Sequence, residues 1–194
     1  MSTLPTELEG IMTPRVCLDW GGLMKGPEVK ESSRSLGDLR GIFRDVAQAS
    51  AADPARIVYR VQSWNPVNTG VPGGLFWGVT TIEPGKVGDE YFMTHGHFHA
   101  DRTRAEYYGT VSGEGMLIRM DDERKTWGER MSAGSLHYIE GRHAHRVANT
   151  GDTPLIFWAC WPSDAGHDYA TIKTHGFGSR LMDKNGRPEL IPNA

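Results

Sequence analysis

The chain has little cysteine, only Cys17 and Cys160 among 194 residues. The two lie far apart and outside any C-x-x-C spacing, which argues against a disulfide framework or a thiolate zinc site and fits a reducing cytoplasm. Long hydrophobic runs are missing as well. Gly, Pro or charge interrupts every apolar stretch short of the roughly eighteen residues a spanning helix needs, so no membrane embedding is expected. The first residues, MSTLPTELEGIMTPRV, carry acid and lack the basic start and apolar run of a secretory signal, and read as mature. Nor is one charge sign in excess. With 21 Lys+Arg against 24 Asp+Glu and a net charge of -3, nothing draws the chain to nucleic acid or an anionic membrane, and a small-molecule partner is expected.

What is present suits one core and one domain over residues 1–194. Leu36, Leu39, Phe43 and Val46 recur at helical intervals behind Ser35, a cap ahead of Asp38. This spacing predicts one short N-terminal helix from Ser35 to about Ala52, ended by Asp53-Pro54. Residues 1–55 are then an N-terminal extension and helix. From residue 56 onward the runs are β-rich: Ile57 to Trp64, Leu75 to Ile82, Glu90 to Thr94, Glu106 to Val111, Met116 to Met120, Ser135 to Ile139 and Leu155 to Trp161. Turn residues separate them, and Asn185-Gly186 predicts a C-terminal hairpin after Ser179 to Met182. The expectation is an all-β fold, a barrel or jelly roll over 56–194 whose mouth suits a ligand.

Three of the eight histidines fall in the hexapeptide Thr94-His95-Gly96-His97-Phe98-His99. If this piece is extended, His95, His97 and His99 share a face, and neighbouring imidazoles can share one ion. Glu106 lies seven residues beyond His99, where a hairpin would bring it back. His143 and His145, also two apart, share a face in the same way. Imidazoles with a carboxylate suit iron, manganese, nickel or zinc better than calcium or magnesium. A single histidine is more often a structural hydrogen-bonding residue, the reading retained for His137 and His175. Three of the clustered histidines and Glu106, on adjacent strands of a barrel, would form one metal site with coordination positions open to substrate.

These residues resemble the two-part motif of the cupin superfamily: His97-Phe98-His99, Glu106 and Gly113 for the first part, Gly134 to Asn149 with His145 and Asn149 in register for the second. Glu140 and Arg142 stand where the second part has Pro and Gly, and the gap from His99 to Glu106 is longer than in most cupins. The stretch from Pro84 to about Phe177 resembles more narrowly the cupin-type glucose-6-phosphate isomerases of archaea and some bacteria. The similarity rests on Pro84 to Gly88, Thr94 to Ala100, Arg104 to Glu106, Ala144 to Arg146 and, above all, Asp164 to Tyr169. It implies a cytoplasmic homodimer interconverting glucose 6-phosphate and fructose 6-phosphate. One divalent metal per subunit would be iron in the native protein, with manganese, nickel or zinc as alternatives, held by His97, His99, Glu106 and His145. The same similarity implies sugar and phosphate contacts from Tyr59, Thr80, Thr94, Gly96 and Tyr169, with His167 close to the substrate. Three positions depart from the family pattern: His95 for a Lys, Trp161 for a Tyr and Arg142 for a Tyr.

Moving a proton between C1 and C2 requires a polarised carbonyl, and a metal holding O1 and O2 would stabilise a cis-enediolate. Glu106 is a candidate proton shuttle whose duty as ligand opposes its basicity; a direct hydride shift would leave it a ligand only. The phosphate dianion needs local donors, for which His95, Arg142 and the Thr and Tyr hydroxyls are candidates, while Trp161 either stacks on the sugar or fills core. The rival readings are an iron dioxygenase, a non-catalytic sugar-binding cupin and a phosphomannose isomerase.

Overall fold

β-branched and aromatic residues bounded by turn formers pair into long strands wherever both faces find cover. In the computed structural model, which describes residues 11–45, 48 and 53–193, the strands in chain order are β1 Cys17–Leu18, β2 Met24–Lys25, β3 Lys30–Ser35, β4 Ile57–Trp64, β5 Leu75–Ile82, β6 Lys86–Val87, β7 Glu90–Tyr91, β8 Glu106–Ser112, β9 Glu114–Met120, β10 Thr126–Ser132, β11 Leu136–Ile139, β12 Ala144–Asn149, β13 Leu155–Pro162, β14 Ser179–Lys184 and β15 Arg187–Pro192. A seven-residue helix, Tyr169–His175, interrupts them. The fold is all-β, as expected.

Two antiparallel sheets carry the architecture. One has six strands in the order β11-β8-β13-β5-β4-β3, the other three in the order β10-β9-β12, and consecutive strands split between them as in a jelly roll. A four-stranded sheet, β15-β14-β7-β6, packs at one end. Val58, Ile82, Leu117, Val147, Leu155 and Phe157 belong to one buried cluster, so the sheets share a core. The Asn185-Gly186 turn joins β14 to β15 with both residues at positive φ, 55° and 80°, the geometry a two-residue hairpin requires.

The expected helix at Ser35 to Ala52 is corrected over its first half. Ser35 ends β3, and residues 36–42 form successive tight turns, with Leu39 N–H donating to Leu36 and Ile42 N–H to Leu39. Leu36, Leu39 and Phe43 are buried all the same, because i to i+3 turns place every third or fourth side chain on the core nearly as well as a helix does. Ser35 and Asp38 do form the reciprocal cap, each side chain reaching the other's backbone. The second half falls outside the described residues except at Gln48, which is helical.

Candidate active site

Each residue of the histidine cluster is placed by its own backbone contact. His97 and His145 form a hydrogen-bonded antiparallel bridge, with N–H to O distances of 3.2 and 3.0 Å. Such a pair projects its side chains to one face. Glu106 opens β8 opposite Ile139 of β11, so the carboxylate enters from the six-stranded sheet and His145 from the three-stranded one. The loop between His99 and Glu106 is held close by Gly141, where a Cβ would stand 2.4 Å from the Arg104 carbonyl oxygen. That carbonyl accepts from His99 Nδ1 at 2.6 Å.

The donor atoms of His97, His99, Glu106 and His145 lie within 4.8 Å of one another. A carbonyl oxygen can only accept, so Nδ1 of His99 carries the proton and leaves Nε2 with its lone pair toward the cluster. His145 is set alike, its Nδ1 donating to the His143 carbonyl at 3.2 Å. His145 Nε2 then lies 2.5 Å from Glu106 Oε1 yet makes no satisfactory hydrogen bond, and His97 Nε2 is also buried without a partner. Bare nitrogens crowding a carboxylate repel it unless a cation, proton or metal, joins them. Burial pushes Glu106 up, but His145 and His99 outweigh it and hold its pKa down to about 2. Burial pushes His99 down, and the Glu106 carboxylate more than reverses this by favouring a proton on Nε2, 3.1 Å from its Oε1, in the place a metal would take. His97 is driven well below its ordinary range by burial and the neighbouring imidazoles, so it stays neutral. Neutral imidazoles and an anionic carboxylate are the donor set that a divalent first-row metal takes, and the residues fit one.

A cavity of about 240 Å³ opens beside this cluster, lined by His97, Glu106, Tyr59, Thr80, His167 and Tyr169 among others. A smaller lobe of about 130 Å³ adds Thr94, His95 and Gly96. His167 arrives through an unusual route. Phe98 and Asp168 form an antiparallel bridge, while Arg104 clamps Asp164 through two hydrogen bonds of 3.0 and 2.8 Å. Asp168 then caps the helix through Thr171. The result sets the His167 ring 4.4 Å from that of His97 and stacks it on Tyr169. Burial lowers the pKa of His167 and raises that of Tyr59 to about 12, so both are neutral near pH 7.

The remaining sequence-predicted residues divide clearly. Thr94 lines the smaller lobe, its hydroxyl oxygen accepting from Val147 N–H at 3.1 Å. Gly96 has φ 80°, and a Cβ there would stand 2.9 Å from both Arg146 Cβ and Phe177. This kink breaks strand alternation, so His95 does not join His97 and His99. It packs edge-on to Tyr169 instead. His143 likewise parts from His145, with Nδ1 accepting from Arg119 at 2.6 Å and the ring against Trp127. Arg142 is exposed on the turn before β12 and is not among the residues lining the cavity, which corrects the expectation that it meets phosphate. Trp161 does line it. His137 is structural, held by Glu129 and Ser135, and His175 is exposed at the helix end.

Sequence reasoning missed Arg34 and Tyr108, both on the cavity wall. Tyr108 follows Glu106 at the two-residue strand spacing and could have been found that way. Arg34 lies on β3 opposite Tyr59, in a strand with no apolar pattern to reveal it.

A jelly roll whose two sheets meet at three imidazoles and a carboxylate, with a cavity alongside, defines a protein of the cupin class. Comparison with known proteins narrows this. Residues 33–189 match the family model described as "Glucose-6-phosphate isomerase (GPI)". The glucose-6-phosphate isomerase of Pyrococcus horikoshii is 38% identical over 177 residues, 89% of this chain and 90% of the relative. That of Thermococcus kodakarensis is 39% identical over 171 residues, 86% and 88% respectively. The putative glucose-6-phosphate isomerase 2 of Rhizobium meliloti is 36% identical over 156 residues, 79% of this chain and 77% of the relative. The chain belongs to the glucose-6-phosphate isomerase family, and it is an enzyme of that family.

Proposed function

We propose that this protein interconverts glucose 6-phosphate and fructose 6-phosphate with one divalent metal, iron by preference, held by His97, His99, Glu106 and His145. The convergence of those four donors within 4.8 Å, in a chain of this family, carries the reading. The metal would supply Lewis-acid polarisation of the carbonyl at C1 or C2. The chain's own groups supply the rest.

With its pKa at about 2, Glu106 holds its charge and is a weak base. His167, neutral and lining the cavity outside the donor set, offers a lone pair matched to proton transfer near neutral pH. In the proton-transfer route His167 accepts the proton from one carbon and returns it to the other, while Glu106 orients its imidazole neighbours. A hydride shift would leave both as positioning groups. Solvent-deuterium incorporation at C1 or C2 distinguishes the routes. Thr80, Thr94, Tyr59 and Tyr169 offer hydroxyls, Gly96 its N–H, and His95 a ring edge to the sugar phosphate. Arg34 at the cavity wall adds the fixed positive charge a phosphate dianion favours.

The same reading makes the protein a cytoplasmic homodimer. Among the described residues no helix is long and apolar enough to cross a membrane. Exposed Tyr107, Leu136 and Tyr138 share adjacent strands β8 and β11, an apolar patch that a second copy would cover. Sedimentation would give the oligomeric state. The activity test is a coupled assay from fructose 6-phosphate, with glucose 6-phosphate read through its NADP-linked dehydrogenase. The protein is stripped with chelator and reloaded anaerobically with Fe²⁺, Mn²⁺, Ni²⁺ or Zn²⁺. Turnover that requires the ion supports the reading, and confirmed ion binding without turnover on any of them overturns it.

A further inference from the structure

The wall behind the site has a second polar side. Arg146 follows His145 on β12 and turns the opposite way, as strand alternation requires. Its guanidinium lies 3.8 Å over the Phe177 ring and is nearly buried, at 6% exposure. Its Nε has no hydrogen-bond partner, and Nη1 donates to a thioether, Met93 Sδ, at 2.9 Å. Glu90, the carboxylate whose charge acts on it, is already engaged: it pairs with Arg180 at 3.0 Å and accepts from Arg44 N–H at 2.7 Å. A buried cation left with an aromatic face and a sulfur is poorly compensated.

Arg146 borders a cleft of about 520 Å³ between the 38–42 turns and the last turn of the helix, into which Arg40 and Lys173 also face. One acid, Asp38, lies there, and its carboxylate is already taken by Ser35. His95 lines both this cleft and the smaller lobe of the site cavity. We propose that this cleft binds a small oxyanion of the phosphate class, with Arg146 at its floor and Arg40 and Lys173 at its rim. An anion there supplies the charge-assisted hydrogen bonds that Arg146 lacks within the chain. The cleft is distinct from the substrate cavity, which presents Arg34 and the hydroxyl wall.

The test is calorimetric titration of the full-length protein with inorganic phosphate, comparing wild type with an Arg40→Ala/Lys173→Ala double variant and with Arg34→Ala. Arg146 is left intact because Gly96 and Phe177 pack against it. The exposed rim residues should be removable without loss of melting temperature in phosphate-free buffer. The double variant is expected to bind phosphate roughly tenfold or more weakly, the loss of two charge-assisted contacts. Arg34→Ala is expected to keep this binding, and Arg40→Lys/Lys173→Arg to retain it. The proposal is overturned if wild type binds no phosphate, if the double variant titrates like wild type, or if Arg34→Ala alone abolishes binding, which would place the anion in the substrate cavity.

Discussion

His145 and Arg146 are neighbours on one strand and serve opposite sides of it. His145 joins a cluster that holds one carboxylate, with its Nε2 2.5 Å from Glu106, and in which backbone carbonyls hold the Nδ1 protons of His99 and His145. Arg146 is buried to a similar degree, and its charge meets an aromatic ring and a sulfur. On the first side the chain supplies the anion and leaves a cation to be added. On the second it supplies the cation and leaves an anion to be added. Burial alone therefore does not mark a catalytic group; what matters is which partner the fold withholds.

The comparison breaks most sharply at the donors. His145→Ala, His97→Ala and Glu106→Gln are each expected to lower kcat/KM by at least about 10³-fold, since carbonyl polarisation is worth several kcal/mol, and to lower bound metal by elemental analysis. A His145→Ala protein with full metal content and activity would remove it from the set. His167→Ala comes next, with a kcat loss of about 10²- to 10⁴-fold at unchanged metal content, the range for a positioned acid–base group. Loss of metal in that variant would reassign His167 as a ligand.

Arg146→Ala should behave unlike its neighbour. It loses the packing on Phe177 and is expected to cost roughly 2–3 kcal/mol by urea denaturation, while the folded fraction keeps its metal. Gly96→Ala, strained at φ 80° and short of room, is expected to cost about 1–3 kcal/mol and to raise KM through the smaller lobe. An unchanged urea midpoint would show that the kink tolerates a side chain. The smallest effect is expected at Arg34→Ala, a KM increase of roughly tenfold with kcat nearly unchanged, because a fixed charge contact made in ground and transition states alike affects binding uniformly.

Legibility in the sequence followed burial and periodicity. β4 and β5 match the expected Ile57 to Trp64 and Leu75 to Ile82 at both ends, because β-branched and aromatic residues fill them and turn formers bound them. β3, Lys-Glu-Ser-Ser-Arg-Ser, is an edge strand exposed along most of its length, so no apolar pattern announced it. With it went Arg34. β10 escaped for a similar reason, its seven residues, TWGERMS, mixing polar and apolar side chains with only Met131 fully buried. The convergence of His97, His99, Glu106 and His145 was legible through the likeness to the two-part cupin motif, in which residue type and spacing survive without tertiary knowledge. The separation of His95 from them was not, since it depends on one glycine at positive φ. The Tyr169–His175 helix hid behind its threonines, although Asp168 with Thr171 is a readable cap.

The proposed activity depends on one ion held by His97, His99, Glu106 and His145. Its most direct test is to titrate Fe²⁺ anaerobically into chelator-stripped wild type, His145→Ala and Arg146→Ala proteins, following bound metal and fructose 6-phosphate turnover together. Both signals should rise to one ion per chain in wild type and in folded Arg146→Ala, and neither should rise in His145→Ala. Full turnover in stripped wild type, or equal metal binding and turnover in His145→Ala, would contradict it.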